Sequence, residues 1–451
     1  MRVLFSPVGD SDPIRDNYDG SCLHIVRHYK PDAVKLFFTK DMAEKEKRDH
    51  RFSRAIRKLM PDIEIISDFT DIEAAHVFDI FMQYVPKSIE EFREQYPDAE
   101  LLINLSSGTT QLKTTLAVLA VELPNCKGIQ VSSPAHGSNR RNRPEQDDID
   151  VDLLIETNLD NEPDAVNRCE EPPLAVLKNF REKNQIRSLI RTRRYGAAWA
   201  LTSDTTSTIS DNTRRLLEYG FRRSKLELKT AKALCTKEER DIFHQVKDEK
   251  AERLFEYFLV MQNHASNKEY AELLMKLTPF MYELLKEHIK HNIGCNDFFE
   301  RCCDIKEKNK IKVPFLNSSK IGAWNPEVLA CLDDRFHGFK DSDASFINLY
   351  YIISSQPLEN ITPANNRMLT LLSERKGINV ENLNNLRNSL AHNIIMNVSE
   401  EKFKEKTGLE PSKLMDILFD VLRTVFPCIA KDSRDSYDRL NAYIDASANE
   451  A

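Results

Sequence analysis

Near the C-terminal end of this 451-residue chain, Leu386-Arg387-Asn388-Ser389-Leu390-Ala391-His392-Asn393 separates an arginine from a histidine by four residues within a helical stretch. Arginine carries a fixed charge that grips a phosphate, and histidine passes a proton near neutral pH. Together they suffice to cut RNA without a metal. Geometry adds a demand. On a regular helix, residues five apart differ by roughly 140° in direction and about 7.5 Å in rise. One chain's pair therefore does not converge, whereas two protomers facing each other across a two-fold axis can present both pairs to one cleft.

A second constellation lies near residue 105. The run Leu102-Ile103-Asn104-Leu105-Ser106-Ser107-Gly108-Thr109-Thr110-Gln111-Leu112-Lys113-Thr114 passes from an apolar strand through small and hydroxyl residues into a helix. Free backbone N–H groups, hydroxyl donors and an approachable glycine suit a phosphate or a ribose. The run is neither Gly-x-Gly-x-x-Gly nor Gly-x-x-x-x-Gly-Lys-Ser/Thr, which argues against a dinucleotide cofactor or ATP hydrolysis. Taken alone it also fits an ordinary Ser/Thr helix cap. Other polar strand ends share its rim: Ser6-Pro7-Val8-Gly9-Asp10, Thr39-Lys40 and Ser132-Ser133-Pro134-Ala135-His136-Gly137.

The elements that must hold these residues differ between the two halves. Up to about residue 170, short apolar runs (Val3–Val8, Ala33–Thr39, Ile63–Ile66, Leu101–Leu105, Gly128–Ser132) alternate with helical intervals. The helices are expected over Cys22–Tyr29, Ala43–Met60, Ala74–Tyr96 and Thr110–Leu123, and Ile149–Ile155 alternates as an edge strand would. This order predicts a Rossmann-like parallel sheet with helices on both faces, with ligands beyond its carboxyl edge. From Leu174 onward the pattern is all-α. Leu273, Leu274, Leu277, Phe280, Met281, Leu284 and Leu285 form one apolar stripe, and Leu414, Ile417, Leu418, Val421, Leu422, Val425 and Phe426 form another, closed by Pro427. Glu170-Glu171-Pro172-Pro173 marks a boundary. The expected division is 1–170, a helical connector over 171–245 and a helical domain over 246–451.

Composition narrows the classes. Charged residues make up 30% of the chain and the net charge is −7, so bulk electrostatics does not hold it to nucleic acid. Only 12 glycines favour helices over a loop-rich β fold. No run approaches a membrane span or a signal peptide, and nine cysteines without regular spacing read as reduced thiols in a cytoplasmic protein. His291, Cys295, Cys302 and Cys303 form the densest metal-type group, but without paired Cys-x-x-Cys knuckles no metal is expected. The connector is locally basic. Arg187, Arg191 and Arg194 share a helical face, read as solvated.

A small Rossmann-like domain bearing Asn104-Leu105-Ser106-Ser107-Gly108-Thr109-Thr110 after its fourth strand resembles the CARF sensor domain. Arg387-Asn388-x-x-x-His392, late in an all-helical region, resembles the HEPN ribonucleases. In this order the two resemble the stand-alone CARF–HEPN ribonucleases of type III CRISPR systems, most like the type III-A members of Firmicutes. The resemblance covers essentially the whole chain. It implies a homodimer whose paired CARF domains bind a cyclic oligoadenylate (six-membered in preference to four) and whose paired HEPN domains cut single-stranded RNA. No metal, no other cofactor, no membrane and no stable association with the CRISPR effector complex is implied.

On that resemblance, Arg387 stabilises charge on the phosphorane, His392 assists proton transfer as the ribose 2′-hydroxyl attacks, and Asn388 positions the pair, leaving 2′,3′-cyclic phosphate ends. The ring-binding residues are Asn104, Ser106, Ser107, Gly108, Thr109, Gln111 and Lys113, together with Thr39 and Asp10. Some family members degrade their own activator, and Thr114 is placed for such chemistry, although packing or capping is its plainer role. The rivals are a nucleotide-sensing regulator whose helical half binds nucleic acid or protein without cutting, a HEPN toxin held by an antitoxin, and a metabolic α/β enzyme. The toxin leaves the first half unexplained, and the metabolic enzyme lacks a cofactor fingerprint.

Overall fold

The computed structural model describes residues 1–134, 150–203, 207–293, 295–308, 311–357, 361–373, 385 and 398–449. The chain divides into two compact units, Met1–Arg181 and Glu182–Ala451.

The first unit is built on a six-stranded sheet of order β5-β4-β1-β6-β7-β8. Its strands are β1 (Arg2–Pro7), β4 (Ala33–Phe38), β5 (Glu64–Phe69), β6 (Glu100–Asn104), β7 (Cys126–Val131) and β8 (Cys169–Glu170). The first five pair in parallel, and β8 closes the edge antiparallel to β7. The central strands are apolar on both faces, as a sheet covered by helices on each side requires. Leu4, Val34, Leu36, Phe38 and Leu102 point into one core with the helices α1 (Ser21–Tyr29) and α3 (Arg51–Leu59). Val3, Phe5, Phe37, Leu101 and Ile103 point into the other with α4 (Phe78–Gln95) and α5 (Thr110–Glu122).

The chain builds outward from β1 to β4 to β5, then returns to lay β6 on the other side of β1. The loops leaving β1 and β6 therefore diverge above adjacent strands and open a crevice at the carboxyl edge. A small hairpin, β2 (Ile14–Arg15) and β3 (Tyr18–Asp19), stands in the loop after β1.

Two expectations are corrected. The helix expected over Ala43–Met60 is two, α2 (Lys40–Asp49) and α3, broken at His50 in the left-handed region (φ 55°). Glu46 holds the corner by accepting from the backbone N–H groups of Phe52 (3.0 Å) and Ser53 (3.3 Å). Val151–Glu156 is a helix (α6), not an edge strand. Asp150 caps it by accepting from Asp152 N and Leu153 N, and the i, i+3, i+4 spacing of Val151, Leu154 and Ile155 serves a helical face as well as an alternating one.

The second unit is helical, as expected, and carries one small sheet besides. A three-stranded antiparallel sheet joins β9 (Cys303–Lys308), β10 (Ile311–Leu316) and β11 (Ser342–Asp343). Both apolar stripes are buried as expected, on the helices Tyr270–Asn292 and Pro411–Val425. The helices between 182 and 245 share one continuous core with those that follow. Within it Arg223, fully enclosed, donates to both carboxylate oxygens of Glu256 (2.8 Å each) and to Ser436 Oγ (2.8 Å). The guanidinium also lies over the Tyr437 ring at 4.4 Å. Connector arginines are tied down locally: Arg187 donates to Asp445 (3.2 Å) and Asn449 (2.8 Å), and Arg215 chelates Glu239 (2.7 Å to each oxygen).

Candidate functional site

A cleft of about 1060 Å³ opens at the carboxyl edge of the first unit's sheet. Its floor is built from buried polar side chains. Asn104, the last residue of β6, is fully buried and donates from Nδ2 to Ser6 Oγ (2.9 Å) and Ser21 Oγ (3.0 Å), while its Oδ1 accepts from Ser106 N (2.9 Å). It thus binds the ends of β1 and β6 to the start of α1. Asp12, also buried, accepts from Gly9 N (3.0 Å), Cys22 N (3.1 Å) and the Ser107 hydroxyl. Burial raises its pKa against the lowering effect of these hydrogen bonds.

Backbone fit is tight at two glycines. Gly108 adopts φ +84°, where an L side chain is strained, and an added Cβ would sit 2.9 Å from Leu112 Cδ2. A Cβ on Gly20 would meet Ser11 O at 2.5 Å and Asp12 Oδ1 at 2.6 Å. Only glycine lets α1 begin this close to the loop after β1.

Three helices start at the cleft. Gly20 and Ser21 open α1, Thr39 opens α2, and Thr109 opens α5, its hydroxyl accepting from Leu112 N at 3.4 Å. The positive ends of three helix dipoles are directed at the cleft, which suits negative charge there. Lys113, Arg15 and Arg168 add side-chain charge, against the carboxylates of Asp10, Asp16 and Asp41. Asp10 is paired with Lys45 at 2.9 Å.

Of the residues singled out in the sequence, Asp10, Thr39, Ser106, Gly108, Thr109 and Lys113 line this cleft. Asn104 and Ser107 lie beneath it, holding the loops that line it. Gln111 and Thr114 are not among its lining residues, and the Thr114 hydroxyl donates back to Thr110 O (2.9 Å). Arg387, Asn388 and His392 lie outside the described residues.

The sequence reading missed a buried network under one wall of the cleft. Asp19 accepts from Arg27 (2.7 and 3.1 Å) and Asn158 (2.7 Å), and faces His24 Nδ1 at 3.2 Å. Burial works to raise its pKa, but hydrogen bonds from His24, Arg27 and Asn158 outweigh that and hold it at about 2. His24 Nε2 accepts from the backbone N–H of Arg168 (3.0 Å), which places the ring proton on Nδ1, toward Asp19. Asp160 accepts from Arg168 Nη2 (2.6 Å) and from Asp19 N (2.7 Å). Asp19, His24 and Asp160 have the spacing of a cation site, and the guanidinium groups of Arg27 and Arg168 already answer their charge. The only advance signal was Asp16-Asn17, a turn dipeptide between two short runs. Arg168 carried none.

Comparison with known families decides what this architecture belongs to. The Cas_Csm6 CARF domain matches residues 62–169, and the Cas_Csm6 HEPN domain matches residues 242–445. The chain carries the CARF and HEPN domains of the Csm6 family. The HEPN match spans Arg387 and His392, while the rim residues Asp10 and Thr39 precede the CARF match. The CRISPR system endoribonuclease Csm6 of Mycobacterium tuberculosis is 29% identical over 419 residues, 92% of this chain and 93% of that protein. The Csm6 of Enterococcus italicus is 28% identical over 449 residues, 95% of each chain. A Csm6′ of Streptococcus thermophilus is 36% identical over 204 residues, 44% of this chain and 51% of that one. The solved structure of Enterococcus italicus Csm6 bound to cyclic hexa-2′-fluoro-hexa-dAMP has the same fold, with a TM-score of 0.66 over 99% of this chain and all of that one, at 24% identity.

Proposed function

We propose that this chain is an RNA endonuclease of CRISPR defence, switched on by a cyclic oligoadenylate. Residues 1–170 form the sensor, 171–245 the connector and 246–451 the nuclease domain. The observation that carries the sensor reading is the convergence of three helix N-termini on one cleft at the sheet's switch point. A polyanion with hydroxyls and purine edges fits a wall of N–H groups, hydroxyls and mixed charge. The HEPN domain match and the Csm6 relatives support the nuclease reading over the non-cutting regulator.

In the working enzyme two protomers pair, and the cleft takes a ring of adenylates, six-membered in preference to four. Lys113 and the N–H groups at Gly108 and Thr109 take phosphate. Asn104 and Ser107 act from below by fixing those loops. In the nuclease domain, Arg387 stabilises the charge that builds on the phosphorane, His392 moves the proton of the attacking 2′-hydroxyl, and Asn388 positions both. This chemistry needs no metal.

The test is cleavage of a fluorogenic single-stranded RNA in EDTA, with cyclic hexa- or tetra-adenylate, by wild type and His392→Ala. Activation by one ring, abolished by the substitution, is the expected result. Cleavage that survives His392→Ala, or no cleavage with either ring, returns the non-cutting regulator to first place.

A further inference from the structure

The hairpin β2–β3 has its two faces committed differently. Ile14 and Asp19 are cross-strand partners and both are buried, Asp19 in the network with His24, Arg27 and Asn158. Arg15 and Tyr18 are the other cross-strand pair, so their side chains project together from the opposite face. Both line the cleft. The two tip residues, Asp16 and Asn17, have φ of 56° and 64°, the backbone of a tight two-residue turn. The turn is fastened from outside by Leu159 N donating to Asn17 O at 2.7 Å. The hairpin is therefore a rigid mount and not a loose loop.

Among the described residues that line the cleft, Tyr18 is the one aromatic ring. It is half-buried and backed by the Arg168 guanidinium, 5.9 Å from the ring centroid. Arg168 is itself fixed by Asp160 and by Ser132 O (2.9 Å). Arg15 beside it is exposed. An aromatic ring held by a fixed cation, next to an exposed arginine, matches one nucleotide unit: a base to stack and its phosphate to pair.

We propose that Tyr18 and Arg15 form a nucleotide clamp in the sensor cleft, Tyr18 stacking on an adenine and Arg15 pairing with the adjacent phosphate of the bound ring. The inference rests on the cyclic-oligoadenylate reading and deepens it by naming what distinguishes a nucleotide ring from a simple polyanion. The hairpin then supplies base recognition, and the helix N-termini supply phosphate binding.

The test is titration of the full-length protein with cyclic hexa-adenylate and cyclic tetra-adenylate. Tyr18→Phe keeps wild-type affinity, whereas Tyr18→Leu loses about tenfold or more, the worth of one base stack. Arg15→Gln weakens binding and flattens the slope of log affinity against log salt by roughly 0.7, one phosphate contact. Tyr18→Trp places an indole at the site, and its emission is quenched as the ring binds; a structural role for Tyr18 would leave it unchanged. If wild type binds a ring but Tyr18→Leu binds equally well, or Tyr18→Trp is not quenched, the clamp is wrong and the sensor reading stands. If wild type binds neither ring, the sensor reading fails and the clamp falls with it.

Discussion

His288 has no exposed surface, and its hydrogen bonds suit an uncharged ring: Nε2 meets Asn365 Oδ1 at 3.0 Å and Nδ1 meets Asn292 Nδ2 at 3.3 Å. Burial lowers its pKa, partly opposed by Asn365. A depressed folded-state pKa means that the contribution to stability is full above the unfolded value of 6.5 and is lost as pH falls through the folded one. Urea denaturation at pH 7.5 and pH 5.5 is expected to show wild type losing more stability on acidification than His288→Gln. Equal losses would remove His288 as the cause. Asp19 follows the same sign lower down: its stabilisation is present above 3.8 and is lost as pH falls through about 2. Asp19→Asn should cost on the order of 2 kcal/mol at pH 7, read from the denaturation midpoint. On the chemical side, His392→Ala and Arg387→Ala are each expected to lower ring-activated cleavage by about 10² or more while leaving ring binding intact.

At the scale of elements, the start of α5 depends on Gly108 and Thr109. Gly108→Ala must place a side chain at φ +84° against Leu112, at a cost of roughly 1–2 kcal/mol, and turns the first N–H groups of α5 away from the cleft. Thr109→Ala removes only a long cap bond, about 1 kcal/mol or less. The glycine variant should therefore weaken ring binding more than the cap variant at matched stability; the reverse order would place the ligand elsewhere.

Element by element, the first unit's strands were readable because parallel strands covered on both faces show as short apolar runs. The two long stripes were readable because burial repeats every three or four residues. β9 and β10 were not. Lys306, Glu307 and Lys312 have low strand propensity, Pro314 interrupts the run, and the pairing that makes it a sheet is not a local property. The cleft was half legible. Sequence order places Asn104 and Ser107 at the right edge but does not tell that their side chains turn down into the floor. Arg15, Tyr18 and Arg168 meet only through the fold, and strands of two residues carry no period to detect.

For the whole molecule, the proposal makes the nuclease cleft a shared one, since residues five positions apart would diverge on a regular helix. Adding Arg387→Ala protein to wild type in rising ratio is then expected to depress activity more steeply than simple dilution of active chains. A linear decline would mean that each chain cuts alone. The sheet imposes a separate constraint on signalling. β1 is hydrogen-bonded to a neighbour on each side and buried on both faces, and it forms the middle of the cleft's foundation. Such a strand opens to solvent only with the whole unit, and it is the part least able to change shape when a ligand arrives. News of occupancy must therefore leave sideways, through the first turns of α2 and α5. Hydrogen exchange should register ring binding there while the amides of β1 and β6 keep time as before: the sheet serves as an anvil, and the rim is what moves.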